Sequence, residues 1–279
     1  MLSYLHGFHA GGFPDVHKHT ALCLVLAHLA RKGTPFSVID THAGRGRYDL
    51  TAAEAGKTGE WQEGIGRIPL RDAVESEALR QYRDIVAAFN ASGSLTAYPG
   101  SPAIAARLMR PADRLVLMEL HPAEHKALTS LFRRDGRVHV HRRDGFAGLP
   151  ALVPPPEKRG LVLIDPSYEI KTDYAALPAC LGRALQRWPR GIYMVWYPML
   201  PDARHRPMVE AVEALGQETL IAELMTGATR ERGLTGTGLA VFNPPYRFAE
   251  TFDAAGQEMA SLLFPDGRAR HEIRLVSAD

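Results

Sequence analysis

Short apolar runs alternate along this chain with longer segments whose apolar residues recur every three or four positions. The short runs predict β-strands at 36–40, 115–120, 138–141, 161–165, 191–197 and 238–242. The longer segments predict helices at 20–32, 174–188 and 207–215. Alternation of strands and helices predicts an α/β fold, in which a doubly wound, Rossmann-like sheet is mostly parallel.

One stretch interrupts this alternation. Between Asp40, at the end of the first strand, and Glu119, at the end of the second, lie 79 positions, whereas about 20 separate such residues in a dinucleotide-binding fold. Helical spacing within the stretch is carried by Val74, Leu79, Tyr82, Ile85, Val86 and Phe89. We therefore expect a single domain over 1–279 with an inserted helical subdomain at approximately 52–98. An insert on the carboxyl side of the sheet would overhang the ligand crevice, so we expect it to help hold a substrate. The alternative is that it only stabilises the fold.

Composition excludes several classes of protein. Hydrophobic residues make up 46% of the chain, enough for a core, and 33 basic residues against 31 acidic ones exclude a polycation but not a local basic patch. Arginines cluster near the third strand and the glycine turn, where phosphate binding and plain solvation explain them about equally; they are Arg45, Arg47, Arg67, Arg133, Arg134, Arg137, Arg142 and Arg143.

Cysteine usage and the N-terminus point to a reducing compartment. Cys23 and Cys180 are too few for a disulfide framework or a multi-cysteine zinc site. No signal-peptide pattern and no run of 18 apolar residues is present, so we expect a soluble, cytoplasmic protein with no membrane contact. The N-terminal histidines lack zinc-finger spacing, so we expect no metal and interpret the segment as an arm over a ligand.

Polar residues follow the ends of three predicted strands. Gly44 and Gly46 allow a tight turn and a close ligand approach after the first strand, although an ordinary strand-to-helix turn has the same appearance. This turn is neither a complete G-x-G-x-x-G nor a P-loop, which argues against a nicotinamide dehydrogenase. Glu119 is placed to accept hydrogen bonds from ribose hydroxyls, and Asp144, before Gly145, from an adenine amino group.

The sharpest signal is Asp165-Pro166-Ser167-Tyr168, at the end of the fourth strand. The Asp165 carboxylate and the Pro166 carbonyl are two acceptors for the two N–H groups of an exocyclic amine. Tyr168 is an aromatic ring on which a base can stack, worth about 1–3 kcal/mol. The tetrapeptide therefore favours alkylation of an adenine that has left its stack, with a structural turn as the alternative.

The strand ends follow one another as Asp40-x-His-Ala-Gly-x-Gly, Glu119, Asp144-Gly and Asp165-Pro-x-Tyr. This order resembles that of class I S-adenosylmethionine-dependent adenine-N6 methyltransferases. A closer resemblance, from residue 1 to about 246, is to the RlmJ family, which methylates adenine N6 in large-subunit (23S) ribosomal RNA. The segments that carry it are Met-Leu-Ser-Tyr-x-His-x-Phe-His-Ala-Gly at 1–11, Asp15-Val-x-Lys-His19, Thr41-His-Ala-Gly44, Tyr98-Pro-Gly-Ser-Pro102, Glu119-Leu-His-Pro122 and Trp196-Tyr-Pro198.

The resemblance implies S-adenosylmethionine as cofactor and 23S ribosomal RNA as partner of a protein that we expect to be a monomer. It implies that Asp165 lies between cofactor and target amine as the proton acceptor, and that Tyr4 contacts the RNA. The implied cofactor contacts are His19, His42, Ser101, Glu119, Asp144, Gly145 and Asp165, with Lys18 and Gly44 beside them.

Two tetrapeptides compete for the catalytic role. The family sequence is Asp-Pro-Pro-Tyr, and Ser167 replaces its second proline, which predicts a loop of altered rigidity and a slower but active enzyme. Asn243-Pro-Pro-Tyr246 matches by letter, but it follows a late strand that runs antiparallel in this class and so points away from the cleft. We therefore expect Asp165 to be the active residue.

Two other functions remain open from the sequence. The first alternative is a methyltransferase whose acceptor is an adenine in DNA or a protein amide. The second is a non-catalytic nucleic-acid-binding module on the same fold, for which the Ser167 departure is the sole support. Methylation assays on RNA, DNA and protein, together with a measurement of S-adenosylmethionine affinity, distinguish the three.

Overall fold

The computed structural model describes residues 5–228, 231 and 233–278, within which eight strands form one sheet with helices on both faces. The strands are β1 (Ser37–Asp40), β2 (Arg47–Asp49), β3 (Ala97–Pro99), β4 (Arg114–Met118), β5 (Val138–His141), β6 (Gly160–Ile164), β7 (Ile192–Met199), β8 (Thr219–Met225), β9 (Gly236–Phe242) and β10 (Arg270–Val276). The helices are α1 (Phe13–Ala30), α2 (Ala53–Thr58), α3 (Glu60–Glu63), α4 (Glu77–Ala88), α5 (Ser101–Leu108), α6 (Pro122–Phe132), α7 (Gly145–Leu152), α8 (Asp173–Arg187), α9 (Arg206–Glu213) and α10 (Phe248–Leu263).

Strand order in the large sheet is β10-β8-β9-β7-β6-β1-β4-β5. The five strands from β5 to β7 in this order are parallel, because β1 pairs in parallel with both β4 and β6, and these pair in parallel with β5 and β7. β9 runs antiparallel to β7 and β8, and β10 runs antiparallel to β8. The predicted α/β sheet, mostly parallel with an antiparallel late strand, is confirmed, and β10 lies beyond the last strand that the sequence predicted.

Both faces of the central strands are buried, as the continuous apolar runs predicted. Val38 and Leu161 face one core, which includes side chains of α1, α4, α5 and α10. Their neighbours Ile39 and Val162 face the other core, with α7, α8 and α9. Since successive side chains of a strand point to opposite faces, a strand between two helical layers has to be apolar at every position.

Helix α1 confirms the helix predicted at 20–32, but it begins at Phe13, seven residues before Thr20, so the predicted start was wrong. Pro14 stands in the first turn, where a missing N–H costs nothing. The first turns of α1 bury Asp15, Lys18 and His19, so polar residues occupy positions that a search for apolar periodicity takes as surface. These buried polar residues point to a site on the helix rather than to a solvated face.

Helices α2, α3 and α4 occupy the stretch that the sequence predicts as an insertion, and β2 and β3 form a two-stranded antiparallel ribbon at its ends. α4 buries Leu79, Tyr82 and Val86 in the same core as α1 and α10. We propose that residues 52–98 are a helical elaboration of one domain. No helix in the described part of the chain is long and apolar enough to cross a bilayer.

Candidate functional site

A cleft of about 610 Å³ lies where the carboxyl ends of the parallel strands meet the N-terminal half of α1. It is lined by every site residue that the sequence predicted within the described residues. These are Lys18, His19, His42, Gly44, Ser101, Glu119, Asp144, Gly145, Asp165, Pro166 and Tyr168. Tyr4, which the resemblance assigns to RNA contact, lies outside the described residues.

The turn after β1 is shaped by Gly44. Its φ of +61° lies in the left-handed region that favours glycine, and a Cβ at this position would lie 2.3 Å from the Tyr48 hydroxyl. The backbone N–H of Gly44 donates a 2.8 Å hydrogen bond to Glu119 Oε2. The turn therefore joins the ends of β1 and β4 and fixes the carboxylate between them.

Glu119 is held by main-chain groups on both of its oxygens. Oε2 accepts from Gly44 and Oε1 accepts from the His121 N–H at 2.6 Å. Burial raises the pKa of Glu119 above its usual value, against the effect of these two N–H donors. Each oxygen keeps a further lone pair, so the side chain can still accept hydrogen bonds from a diol in the cleft.

Ser101 holds a second carboxylate below the floor of the cleft. Its Oγ donates to Asp40 Oδ2 at 2.7 Å, and Asp40 Oδ1 accepts from the His42 N–H at 3.2 Å. Asp40 is 2% exposed, and burial raises its pKa to about 7. Burial also lowers the pKa of His42, to about 4, so its imidazole is neutral at pH 7.

Asp144 and Gly145 form the corner between β5 and α7. Asp144 Oδ1 accepts from the Ala147 N–H at 2.8 Å and so caps α7. A Cβ on Gly145 would lie 2.3 Å from the Thr41 carbonyl oxygen, because this corner packs directly against the end of β1. The second Asp144 oxygen stays available at the rim of the cleft.

Lys18 bridges two carboxylates that are distant in sequence. Its Nζ lies 2.5 Å from Asp165 Oδ2 and 2.8 Å from Asp15 Oδ1, and only 4% of its side chain is exposed. Burial opposes the charged ammonium, but the two carboxylates outweigh burial and raise the pKa of Lys18 above its usual value. A buried cation thus fixes the position of the Asp165 carboxylate.

The other oxygen of Asp15 ties the N-terminal segment to α1. Asp15 Oδ2 lies 2.9 Å from His6 Nε2 and accepts a 2.9 Å hydrogen bond from the Gly11 N–H. Burial opposes ionisation of Asp15, but the charges of His6 and Lys18 hold its pKa well below the usual range. The segment predicted as an arm therefore packs at the cleft, with His6 and His9 among the lining residues.

His19 presents a nitrogen that still needs a partner. Its Nδ1 lies 2.7 Å from the Tyr98 hydroxyl, which in turn lies 2.9 Å from the Tyr82 hydroxyl. Its Nε2 is buried and has no hydrogen-bond partner among the described residues, although the side chain lines the cleft. Burial lowers the pKa of His19 to about 3, so this is a neutral imidazole that a bound ligand can satisfy.

The tetrapeptide at the end of β6 turns sharply at Tyr168, whose φ is +54°. The Tyr168 hydroxyl donates to the Trp196 carbonyl at 2.7 Å, and the Tyr168 ring packs 4.6 Å from Tyr174 between ring centroids. Trp196 Nε1 donates to Thr237 Oγ1 at 2.7 Å. These bonds hold aromatic side chains that line the cleft together with Asp165.

The second tetrapeptide lies at the other edge of the sheet. β9 is antiparallel to β7, as expected, so Asn243 follows it at the edge where β7 begins. Asn243 Nδ2 donates to the carbonyls of Pro189 and Gly191, at 2.8 and 2.7 Å, while Tyr246 is 83% exposed. The Asn243–Tyr246 turn does not line the cleft.

The structure separates the arginines that the sequence grouped together. Arg45 is engaged by Glu124 and Glu54, at 2.7 and 2.9 Å. Arg137 pairs with Asp135 and donates to main-chain carbonyls. The exposed arginines of this group are Arg47, Arg133, Arg134, Arg142 and Arg143, and Arg67 is half-buried.

Sequence reasoning missed several residues that line the cleft. They are Asp15, Thr41, Leu120, Phe146, Tyr174 and Trp196. For Asp15 a signal exists, because Asp15, Lys18 and His19 are spaced to share one face of a helix. For Trp196 the signal is its place near the carboxyl end of β7, a strand parallel to β6.

Comparisons with known proteins agree on one family. The family model described as "Ribosomal RNA large subunit methyltransferase D, RlmJ" matches residues 33–274. Ribosomal RNA large subunit methyltransferase J of Escherichia coli (strain K12) is 43% identical over 278 residues, which is 99% of either chain. The protein of the same name from Haemophilus influenzae is 38% identical over 283 residues and the full length of both chains. A crystal structure from Legionella pneumophila, 35% identical, has a TM-score of 0.90 over 97% of this chain and 99% of the other.

Proposed function

The chain belongs to the RlmJ family of ribosomal RNA large subunit methyltransferases, and on that premise we propose that it transfers a methyl group from S-adenosylmethionine to N6 of an adenine in 23S ribosomal RNA. The observation that carries the proposal is the position of Asp165. It lines the same cleft as a set of polar residues that includes Glu119 and Asp144 (the polar half) and a set of aromatic residues, Tyr168, Tyr174 and Trp196 (the aromatic half). Lys18 Nζ lies 2.5 Å from its carboxylate.

The polar half fits the cofactor. S-adenosylmethionine supplies an electrophilic methyl group on a sulfonium when it is bound. Glu119 would accept hydrogen bonds from its ribose, and Asp144 from its adenine amino group. The unpartnered Nε2 of His19 would be satisfied by a polar group of the same molecule. Gly44 and Gly145 keep the walls of the cleft free of side chains that would displace the strand ends.

The aromatic half fits a purine. Tyr168, Tyr174 and Trp196 line it next to Asp165. We assign the Asp165 oxygen that is not bound to Lys18, together with the Pro166 carbonyl, as the two acceptors of the N6 hydrogens. Holding the amine in line with the methyl group supplies most of the catalysis, because orientation replaces a bimolecular encounter. Asp165 stabilises the charge that grows on nitrogen and accepts the proton late.

The finer assignments follow from the same arrangement. Tyr4 would contact the RNA strand, since it precedes in sequence His6 and His9, which line the cleft. Methyl transfer needs one cleft and one bound cofactor and no resident metal, so we expect a monomer to be sufficient for activity. We further propose that the protein acts in the cytoplasm.

Two measurements test the function. Mass spectrometry of ribosomal RNA from cells that lack this protein should show one missing N6-methyladenine in the large-subunit RNA, restored by the wild-type gene but not by Asp165→Ala. In vitro, purified protein should methylate protein-free 23S RNA and leave duplex DNA and protein unmodified. Methylation of DNA alone would replace RNA as the substrate, and calorimetry without S-adenosylmethionine binding would favour the non-catalytic module.

A further inference from the structure

The loop between β6 and α8 carries one buried and one exposed apolar side chain. Tyr168 is 6% exposed and packs inward, whereas Ile170, two residues later, is 50% exposed. Both line the cleft, so Ile170 stands at its mouth on the side of the tetrapeptide. Singly exposed apolar residues are common on protein surfaces. Ile170 differs from them in its place, because it lines the cleft on the loop that also carries the reacting carboxylate.

Few large apolar residues are both exposed and close to the cleft. The large hydrophobic residues that are exposed in the described part of the chain are Leu120, Leu131, Ile170, Tyr246 and Leu275. Leu120 and Ile170 line the cleft, and the other three do not. Leu120 follows Glu119 on the polar half, which leaves Ile170 as the exposed aliphatic residue beside the aromatic half.

The loop holds Ile170 in a defined place. The left-handed backbone of Tyr168 and its hydroxyl bond to Trp196 fix the loop on one side. On the other side, the Ile170 carbonyl accepts a 2.9 Å hydrogen bond from the Asp173 N–H at the start of α8. Lys171 follows, exposed, and places a cation next to the aliphatic side chain.

An adenine that enters the aromatic half has to leave its stack in the RNA. The gap that it leaves exposes the faces of the neighbouring bases, and nucleic-acid-binding proteins fill such gaps with aliphatic wedges. We propose that Ile170 is this wedge: it enters the RNA stack at the position that the target adenine vacates, while Lys171 meets a phosphate of the same strand. The inference rests on the proposed function and makes Ile170 a positioning residue.

This role predicts a dependence on RNA structure. Ile170→Ala should lower kcat/KM by about tenfold for an adenine stacked within a helix, since the wedge offsets part of the cost of unstacking. For the same adenine in an unpaired, flexible loop the loss should be under about twofold, because little stacking is broken there. Affinity for S-adenosylmethionine should not change.

The experiment uses two transcripts that span the adenine mapped by mass spectrometry, one with it in a helix and one in an open loop. A third RNA carries 2-aminopurine at the target position, and its fluorescence should rise on binding wild-type protein and rise less with Ile170→Ala. Leu275→Ala is the matched control, since Leu275 is 57% exposed on β10 and does not line the cleft.

Equal losses on both transcripts would overturn the wedge and point to a general contact, and unchanged kinetics on the helical transcript would overturn it as well. Failure of the wild-type protein to methylate either transcript would contradict the proposed function instead. Because Ile170 is exposed, its truncation leaves the core intact, and a melting temperature within about 1 °C of the wild-type value checks this.

Discussion

The Lys18 ammonium lies 2.5 Å from Asp165, a residue 147 positions away, and holds it from the first turns of helix α1. The same ammonium contacts Asp15, so one buried cation bridges two carboxylates. Asp165 is 14% exposed at the cleft and Asp15 is 3% exposed behind it. The position of the proposed acceptor thus depends on a helix that lies outside the strand-end motifs.

Removal of Lys18 should separate stability from activity. Lys18→Met leaves the buried Asp15 without the Lys18 ammonium and with His6 as its remaining basic partner. Loss of one partner of a buried ion pair should lower the free energy of unfolding by about 3–5 kcal/mol. The double variant Asp15→Asn/Lys18→Met should regain most of that stability, but not methyl transfer, because Asp165 is still unsupported. Urea unfolding and turnover on 23S RNA measure the two effects. Lys126→Met, on the exposed face of α6, should change neither. Normal turnover of Lys18→Met would contradict the assigned role.

Asp165→Ala should abolish methyl transfer while S-adenosylmethionine still binds detectably. The Asp165 carboxylate is assigned to the target amine, whereas Glu119 and Asp144 are assigned to the cofactor. The substitution should therefore remove turnover and leave cofactor binding. Calorimetry measures binding and a methyl-transfer assay measures turnover. Asp266→Ala, in an exposed turn, serves as the control. Unchanged turnover of Asp165→Ala would refute the proposed mechanism.

Tyr168→Ala and Tyr168→Phe should differ. Loss of the ring should raise the KM for RNA by about 10–100-fold, since stacking on an aromatic ring is worth about 1–3 kcal/mol per base. Tyr168→Phe keeps the ring and loses the hydroxyl bond to Trp196, so its effect should be the smaller one. Steady-state kinetics on RNA measure both. The stacking role is wrong if Tyr168→Ala has a normal KM and a normal kcat.

Glycine substitutions should test the turn after β1. Gly44→Ala should destabilise the protein and weaken cofactor binding, because its φ is +61° and the new Cβ would meet the Tyr48 hydroxyl. Gly56→Ala is the matched substitution: nothing lies within 4 Å of its Cβ in helix α2, and it should stabilise by about 0.5–1 kcal/mol. Thermal unfolding and calorimetry compare the two. Equal behaviour of both variants would show that the turn geometry is not required.

Asp40 should make stability fall as pH rises. Its pKa is about 7 in the folded protein, above the ordinary value for an unfolded aspartate, so the folded state binds the proton more tightly between these values. The stabilising effect is therefore present at low pH and lost as pH rises toward 7. Asp40→Asn keeps an acceptor for Ser101 but removes the titration, so its stability relative to wild type should increase from pH 5 to pH 8. Denaturant unfolding at both values measures this, and a constant difference would contradict it.

The strand ends of the site were predictable from the residues themselves, whereas Lys18 and His19 of α1 were predicted through the family resemblance alone, and the contact of Lys18 with Asp165 was not predicted. Glu119, Asp144 and Asp165 converge because the carboxyl ends of parallel strands share one edge, a rule that needs no coordinates. Lys18 reaches Asp165 through the packing of a helix against the sheet, which strand-end reasoning does not include. The expected stacking surface of Tyr168 was also only part of its environment, since its hydroxyl is bound to Trp196.

The missed elements have different physical causes. β10 alternates charged and apolar residues at the edge of the sheet, and half of its length is exposed, so its apolar signal is weak. α6 buries little beyond Glu124 and Leu128. α10, in contrast, carries apolar residues at helical spacing, as Phe248 and Phe252 show, so a signal for this helix is present in the sequence although no helix was predicted there.

The chain of contacts from His19 through Tyr98 to Tyr82 passes from the cleft into helix α4. Chimaeras that exchange the 52–98 segment between relatives would therefore change the hydrogen bonding of the His19 imidazole, which is proposed to face the cofactor. Such grafts should work between donors that keep tyrosine at both positions and fail where phenylalanine stands there. In protein engineering, a donor segment therefore has to supply both the Tyr82 and the Tyr98 hydroxyl groups.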